Sequence, residues 1–218
     1  MLQRYFTVKG YGEEEIEIER SRFIAQVNRA ETEEEALDFI AQIRKKHWDA
    51  THNCSAYLIG ERDQIQKADD DGEPSGTAGK PILEVLKKRN LKDTVVVVTR
   101  YFGGIKLGAG GLIRAYGKSA TRGVDAAQVI ERVLHREITI RIPYTLLGRV
   151  ENELRTRAIR LAQIDYTDAV TLHVEVPVGE EEAFSAWMTD LTHGQGEIHV
   201  LEERYVDFPV LQHSAEEE

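Results

Sequence analysis

The run from Asp93 to Ala120 constrains the fold more than any other part of the chain. It opens with consecutive valines, Val95–Val98, and passes through a loop holding Gly103, Gly104, Gly108, Gly110 and Gly111. It then takes up helical spacing. An unbroken β-branched run suits a strand covered on both faces, where no solvent side calls for polar residues. Glycines cost chain entropy, so a cluster of them signals positive φ or the close approach of another group to the backbone. Leu112, Ala115, Tyr116, Ser119, Ala120 and Gly123 share one helical face, most of it small. That helix is expected to lie close to the sheet. On another side Arg114, Lys118 and Arg122 follow at successive i, i+4 steps.

A strand that runs through glycines into a helix start is a physical anion site, because unpaired amides and the positive dipole end point outward. Lys80, Arg100, Lys106, Arg114 and Lys118 are the expected contacts to phosphates, with Gly108, Gly110 and Gly111 opening the backbone to the anion. A nucleic-acid backbone is the favoured polyanion. Two other readings stay open. In one, the glycines serve packing alone and the bases form a solvated face. In the other, Asp70, Asp71 and Glu73 neutralise the bases in an internal network.

The net charge of −10 opposes a generic nucleic-acid binder. Its distribution does not: from Ala78 to Arg136 the chain carries 12 Lys and Arg against 4 Asp and Glu, a basic segment in an acidic protein. At 218 residues and 41% apolar, the chain suffices for one large or two small domains with a real core. No run approaches a membrane span, and the N-terminus lacks the basic-then-apolar build of a signal peptide. Cys54 is the single cysteine, which excludes an internal disulfide and fits a reducing, cytoplasmic location.

Along the chain, Glu15–Arg20 alternates as a half-exposed strand and Arg22–Val27 reads as a more buried one, so a hairpin or bend is expected near Ser21. Thr32 caps a helix whose first turn is acidic and whose end is basic. Asn53–Ile59 is the next strand. The polar stretch Lys67–Pro81 is long for a structureless loop, which marks it for function. Pro81 suits the first turn of a following helix. After the central strand, loop and helix, a second unit is expected: a strand at Glu137–Ile142, a helix at Tyr144–Ala162, a short strand at Gln163–Tyr166, a strand at Ala169–Val176, a helix at Glu180–Leu191 and a strand at Gly196–Tyr205. The order βαββαβ is that of a ferredoxin-like fold.

Three segments together resemble the IMPACT family, the bacterial YigZ/YvyE-type proteins: Ser21–Ile24 with Thr51–Tyr57, Asp70–Pro81, and Val98–Leu112. The resemblance implies an α+β protein of two domains. Residues 1–134 take the ribosomal-protein domain 2-like α/β fold shared with GHMP kinases. Residues 137–208 form a ferredoxin-like module similar to one in elongation factor G, and 209–218 a flexible tail. The resemblance also implies a link to translation control; eukaryotic relatives compete for the ribosome-associated activator of a stress-sensing kinase. It brings no enzymatic activity, cofactor or metal. Joined to the basic face, it points to a non-catalytic, translation-associated regulator that binds RNA or a ribosome-associated protein. A protein-interaction regulator without nucleic-acid binding is the alternative. The second alternative is an enzyme that binds a small-molecule phosphate or nucleotide at the glycine loop, by analogy of fold alone.

Other chemistry is weaker in the sequence. Gly76–Pro81 approaches a P-loop but has Pro74 where a glycine is needed and Pro81 where Ser or Thr would ligate magnesium. His52 and Cys54 with Asp69, Asp70 and Asp71 make a poor zinc set. A partly buried Cys54 and a turn at Gly72 are expected instead. Of Tyr101 and Phe102, neighbours that point to opposite faces, one is expected to be exposed for base stacking.

Overall fold

The computed structural model describes residues 1–210, which divide into two units: Met1–Glu131, to which the chain returns at Phe208, and Arg132–Asp207. In the first unit β1 (Arg4–Val8), β2 (Gly12–Ile18), β3 (Ser21–Arg29), α1 (Glu33–Lys46), β4 (His52–Ile59), β5 (Ile65–Asp69), α2 (Gly79–Lys88), β6 (Thr94–Tyr101) and α3 (Gly108–Ala126) follow in order. An antiparallel sheet runs β2-β3-β6-β4-β5. The hairpin expected near Ser21 is a tight one: Ile18 pairs with Ser21, and Glu19 and Arg20 both take positive φ.

The four valines lie in the central strand β6 and are fully buried. Val96 and Val98 join Phe23, Ala25 and Val27 in the core under α2 and α3. Val95 and Val97 join Phe39, Ile40 and Ile43 of α1 in the opposite core. Helices therefore cover both faces, and each buried valine contributes about 1.5–3 kcal/mol. The small face of α3 does bring it close to the sheet: a Cβ added at Gly123 would stand 2.7 Å from the Ala25 Cβ. At the start of α1, the Thr32 hydroxyl accepts from the Glu35 amide at 3.2 Å, and the Glu35 carboxylate accepts from the Glu31 amide at 2.7 Å.

The polar stretch from Lys67 is less of a loop than its composition suggests. β5 continues through it to Asp69 as an edge strand paired with β4, Ala56 opposite Ala68. An edge strand carries polar residues on solvent without penalty, which hid it in the sequence.

The second unit runs β7 (Val129–Ile142), a 3-10 turn (Tyr144–Leu146), α4 (Leu147–Thr156), β8 (Arg160–Tyr166), β9 (Val170–Pro177), α5 (Glu181–Leu191) and β10 (Glu197–Pro209). Within this unit β7 pairs with both β9 and β10, and β9 pairs with β8, the pairing expected of a ferredoxin-like βαββαβ unit. Ile138, Ile140 and Ile142 of β7 pack with Leu172 and Val174 of β9, Val150 and Leu154 of α4, and Phe184 and Met188 of α5.

Element ends differ from the sequence reading most in the second unit. The helix expected to reach Ala162 stops at Thr156, because Ala158 adopts φ 54° and the chain is extended again at Arg160. Apolar spacing hid this stop, since Leu161 and Ile164 of β8 pack on the same core as α4. β7 begins at Val129 rather than Glu137, and β10 extends to Pro209. The rest of the expected tail, 211–218, lies outside the described residues. Among the described residues, no helix is long and apolar enough to cross a membrane.

Candidate functional site

The segment between β5 and α2 is built by its acids. Asp70 accepts from the amides of Gly76 at 2.7 Å, Ala78 at 3.0 Å and Gly79 at 2.8 Å. It thus caps α2 from a distance, where Ala78 at the helix start has no side chain to do so. Burial pushes the Asp70 carboxyl up, but the three amides outweigh it and hold the group below the usual carboxylate range. Asp71 accepts from the Asn53 amide at 2.6 Å, and Asp69 and Asp71 both pair with Arg44, at 2.8 and 3.3 Å. Gly79 must be glycine, because a Cβ would sit 2.6 Å from the Asp69 nitrogen.

Glu73 is different: it is buried. Its Oε1 accepts from Arg100 Nη1 and from the Tyr116 hydroxyl, both at 2.7 Å. The Arg100 guanidinium lies 5.4 Å from the ring centres of both Phe23 and Phe102. The buried Cys54 thiol donates to the Asp70 carbonyl at 3.0 Å and lies 3.4 Å from the Tyr116 hydroxyl. Burial pushes the thiol well above its ordinary value, so it is a poor nucleophile. Among the described residues, no group of His, Cys, Asp and Glu is placed to hold a metal ion.

The glycine loop joins β6 to α3. Gly103 passes so close to the β2–β3 turn that a Cβ would stand 2.0 Å from the Arg20 carbonyl. Its amide donates to Ser21 Oγ at 3.1 Å. Gly108 starts α3 at φ 68°. No side chain caps α3, and no acid occupies its first turn. Gly108 has open space around it, and Gly110 has only Arg114 Nη1 at 3.6 Å from a built Cβ. The first turn of α3 therefore presents free amides, and the positive end of its dipole, to the outside.

The expected contact residues separate into two groups. Lys106 in the loop, Gly108, Gly110 and Gly111 in the first turn of α3, and Arg114 and Lys118 further along it follow one another on one element. Lys80 stands on α2. The side chains of Lys80, Lys106, Arg114 and Lys118 are exposed, and none forms an ion pair among the described residues. Arg100 stands apart. It is only 5% exposed and bound to Glu73, so it supports the loop from beneath rather than offering a surface charge. Of the acids that threatened to neutralise the face, only Glu73 reaches one of its bases.

Two concavities open on this face. One of about 370 Å³ is lined by Phe102, Lys106, Gly108 and Leu112, with Glu73 and Arg100 at its wall. Phe102 is 46% exposed there, while Tyr101 turns to His47. The other, of about 360 Å³, lies between α2 and α3. The sequence reading missed Tyr116 as the hydroxyl that completes the Glu73 network, since its helical spacing reads as core. It also missed the exposed Ile113, whose signal was an apolar residue off the buried face.

A family model described as the Impact N-terminal domain matches residues 19–124, and one described as a domain of unknown function, DUF1949, matches 140–195. The chain is 59% identical over 207 residues to the IMPACT family member YvyE of Bacillus subtilis, covering 95% of each. It is 35% identical to the IMPACT family member YigZ of Escherichia coli, covering 86% of this chain and 93% of that one. A crystal structure of a hypothetical protein, 31% identical, superposes with a TM-score of 0.59 over 93% of this chain and 99% of that chain.

Proposed function

This chain belongs to the IMPACT family, and on that premise we propose that it is a non-catalytic, translation-associated regulator. It binds RNA or a ribosome-associated factor through the basic face of its first unit. Lys106, Arg114, Lys118 and Lys80 meet the partner's negative charge, the first-turn amides at Gly108 and Gly110 add donors, and Gly111, whose amide bonds within the helix, keeps the backbone open beside them. Arg100 holds the loop in place through Glu73. The observation that carries this reading is the set of exposed, unpaired cations running from the glycine loop along α3. Like charges at i, i+4 destabilise a helix by a few tenths of a kcal/mol, so the array does nothing for stability.

The test is fluorescence anisotropy with a generic RNA at low and physiological salt, using wild type and Arg114→Ala/Lys118→Ala. Salt-sensitive binding that the double variant loses supports the RNA form of the reading. Its salt slope should fall by roughly 0.7–0.9 for each phosphate contact removed. Absence of binding at either salt excludes the RNA form and leaves the protein factor. A second reading, a phosphate or nucleotide ligand, draws on the concavity beside Lys106 and Gly108. A nucleotide-dependent rise in melting temperature would support it, and a flat response would remove it.

A further inference from the structure

Resting on the basic face as the contact surface, we propose that the groove between α2 and α3 docks an acidic amphipathic helix of a partner protein, seated by an aliphatic side chain. The groove walls are Pro81 and Val85 from α2 and Ile113 from α3. Ile113 is 45% exposed, an apolar side chain held in water beside Arg114. Gly117, on the same wall, has no heavy atom within 4 Å of where a Cβ would stand. An incoming side chain can therefore rest against the α3 backbone itself, as small residues permit between packed helices.

The rim sets the sign of the partner. Lys80 and Lys88 line the groove on α2, with Glu84 between them as the one acid among its lining residues. Arg114 and Lys118 follow Ile113 and Gly117 by one residue, about 100° round the helix. Two lysines against one glutamate in the lining, with Arg114 and Lys118 next along α3, favour a segment with carboxylates flanking its apolar stripe. The groove favours protein over RNA. Among the described residues no aromatic side chain lines it, so it offers no platform for a base to stack on. A phosphate backbone has no apolar knob to fill it, whereas an amphipathic helix presents such knobs at i, i+4 and i+7.

The test uses the full-length protein and a labelled synthetic peptide of about 18 residues, long enough to populate a helix. The peptide carries leucines at i, i+4 and i+7 with glutamates elsewhere. A scrambled peptide of equal composition and a generic RNA are the controls. Ile113→Ser removes the exposed wall, and Gly117→Leu fills the groove without altering charge. Thermal unfolding checks that both variants remain folded.

The patterned peptide should bind about tenfold more tightly than the scrambled one, and each variant should weaken it about tenfold, as truncation at the centre of a contact does. RNA binding, where present, should be unchanged in both variants. Equal binding of the scrambled peptide, no loss in either variant, or no binding of the patterned peptide would overturn the proposal. RNA bound in the absence of peptide binding leaves the basic-face reading standing while the groove proposal falls. If neither probe binds, the groove proposal falls together with the RNA form of the basic-face reading, and the ribosome-associated factor is left.

Discussion

Helix α3 of the first unit and the sheet face of the second unit use their cations in opposite ways. On the second, Arg136 pairs with Glu181 and Glu203, Arg141 with Asp168, and Arg160 and Arg204 with Glu175. On the first, Arg114 and Lys118 meet no acid among the described residues, although Arg44, Arg89 and Lys92 elsewhere in that unit are paired. The residues at i−4, i−3, i+3 and i+4 from Arg114 are Gly110, Gly111, Gly117 and Lys118. Those around Lys118 are Arg114, Ala115, Thr121 and Arg122. The difference follows from the elements. Strands bring acids and bases together across a polar sheet face, as the diagonal neighbours Glu137 and His173 show at 2.9 Å. On the solvent side of a helix the nearest partners are the residues at i±3 and i±4, and around Arg114 and Lys118 none of these is an acid. Charge that pairs internally is structural; charge left unpaired on one helix is available to a partner.

The strongest way to break that contrast is through the one cation of the anion motif that is paired. Glu73→Ala leaves the Arg100 guanidinium buried without its carboxylate, and should cost about 3–5 kcal/mol in denaturant unfolding. Replacing both, as Glu73→Gln/Arg100→Met, should recover much of the loss. If Glu73→Ala unfolds at the wild-type midpoint, Arg100 is not held as described. The exposed Arg141→Ala on the second unit should barely move the midpoint, since its pair sits in water.

Asp70→Ala removes the remote cap of α2 and should cost about 0.5–2 kcal/mol, read by the same unfolding experiment. A smaller effect is expected on stability from Arg114→Ala/Lys118→Ala: within about 0.5 kcal/mol of wild type, because surface positions without partners contribute little. A large loss there would mean these cations are structural after all, and the contrast between α3 and the second unit's sheet would collapse.

The smallest effect concerns pH. His173 stands between Glu137 and Asp165, each at 2.9 Å, and Arg204 approaches Glu137 at 3.8 Å. The hydrogen bond to Glu137 leads in raising its pKa; partial burial opposes, and Asp165 adds to the rise. Because the folded pKa lies above the unfolded one, its stabilisation is complete below about 6.5 and is lost as pH climbs through the raised value. His173→Gln should flatten that decline, measured as melting temperature from neutral to mildly alkaline pH. An unchanged slope would show that the ion pairs of this sheet do not sense the imidazole.

Much of this was legible in the sequence because periodicity reports burial. The valine run announced a two-sided sheet, and the alternation of Ile138, Ile140 and Ile142 a one-sided one. Helix ends were less legible. Ala158 carries no glycine or proline signal, yet it breaks the helix with a left-handed backbone. At the site, the exposed bases could be read from their spacing on α3. The burial of Arg100 could not, because its partner Glu73 lies 27 residues away in a loop whose path the sequence does not define. The α2–α3 groove was equally invisible, since it exists only when two helices pack side by side.

The most direct test is co-sedimentation of the full-length protein with ribosomes at low and physiological salt. Wild type, Arg114→Ala/Lys118→Ala and Arg141→Ala would be compared. The expected result is salt-sensitive association that the first-unit pair abolishes and the second-unit change leaves intact. Association that survives the first-unit pair, ignores salt, or fails for the wild type would contradict the assignment of the unpaired α3 face as the contact surface.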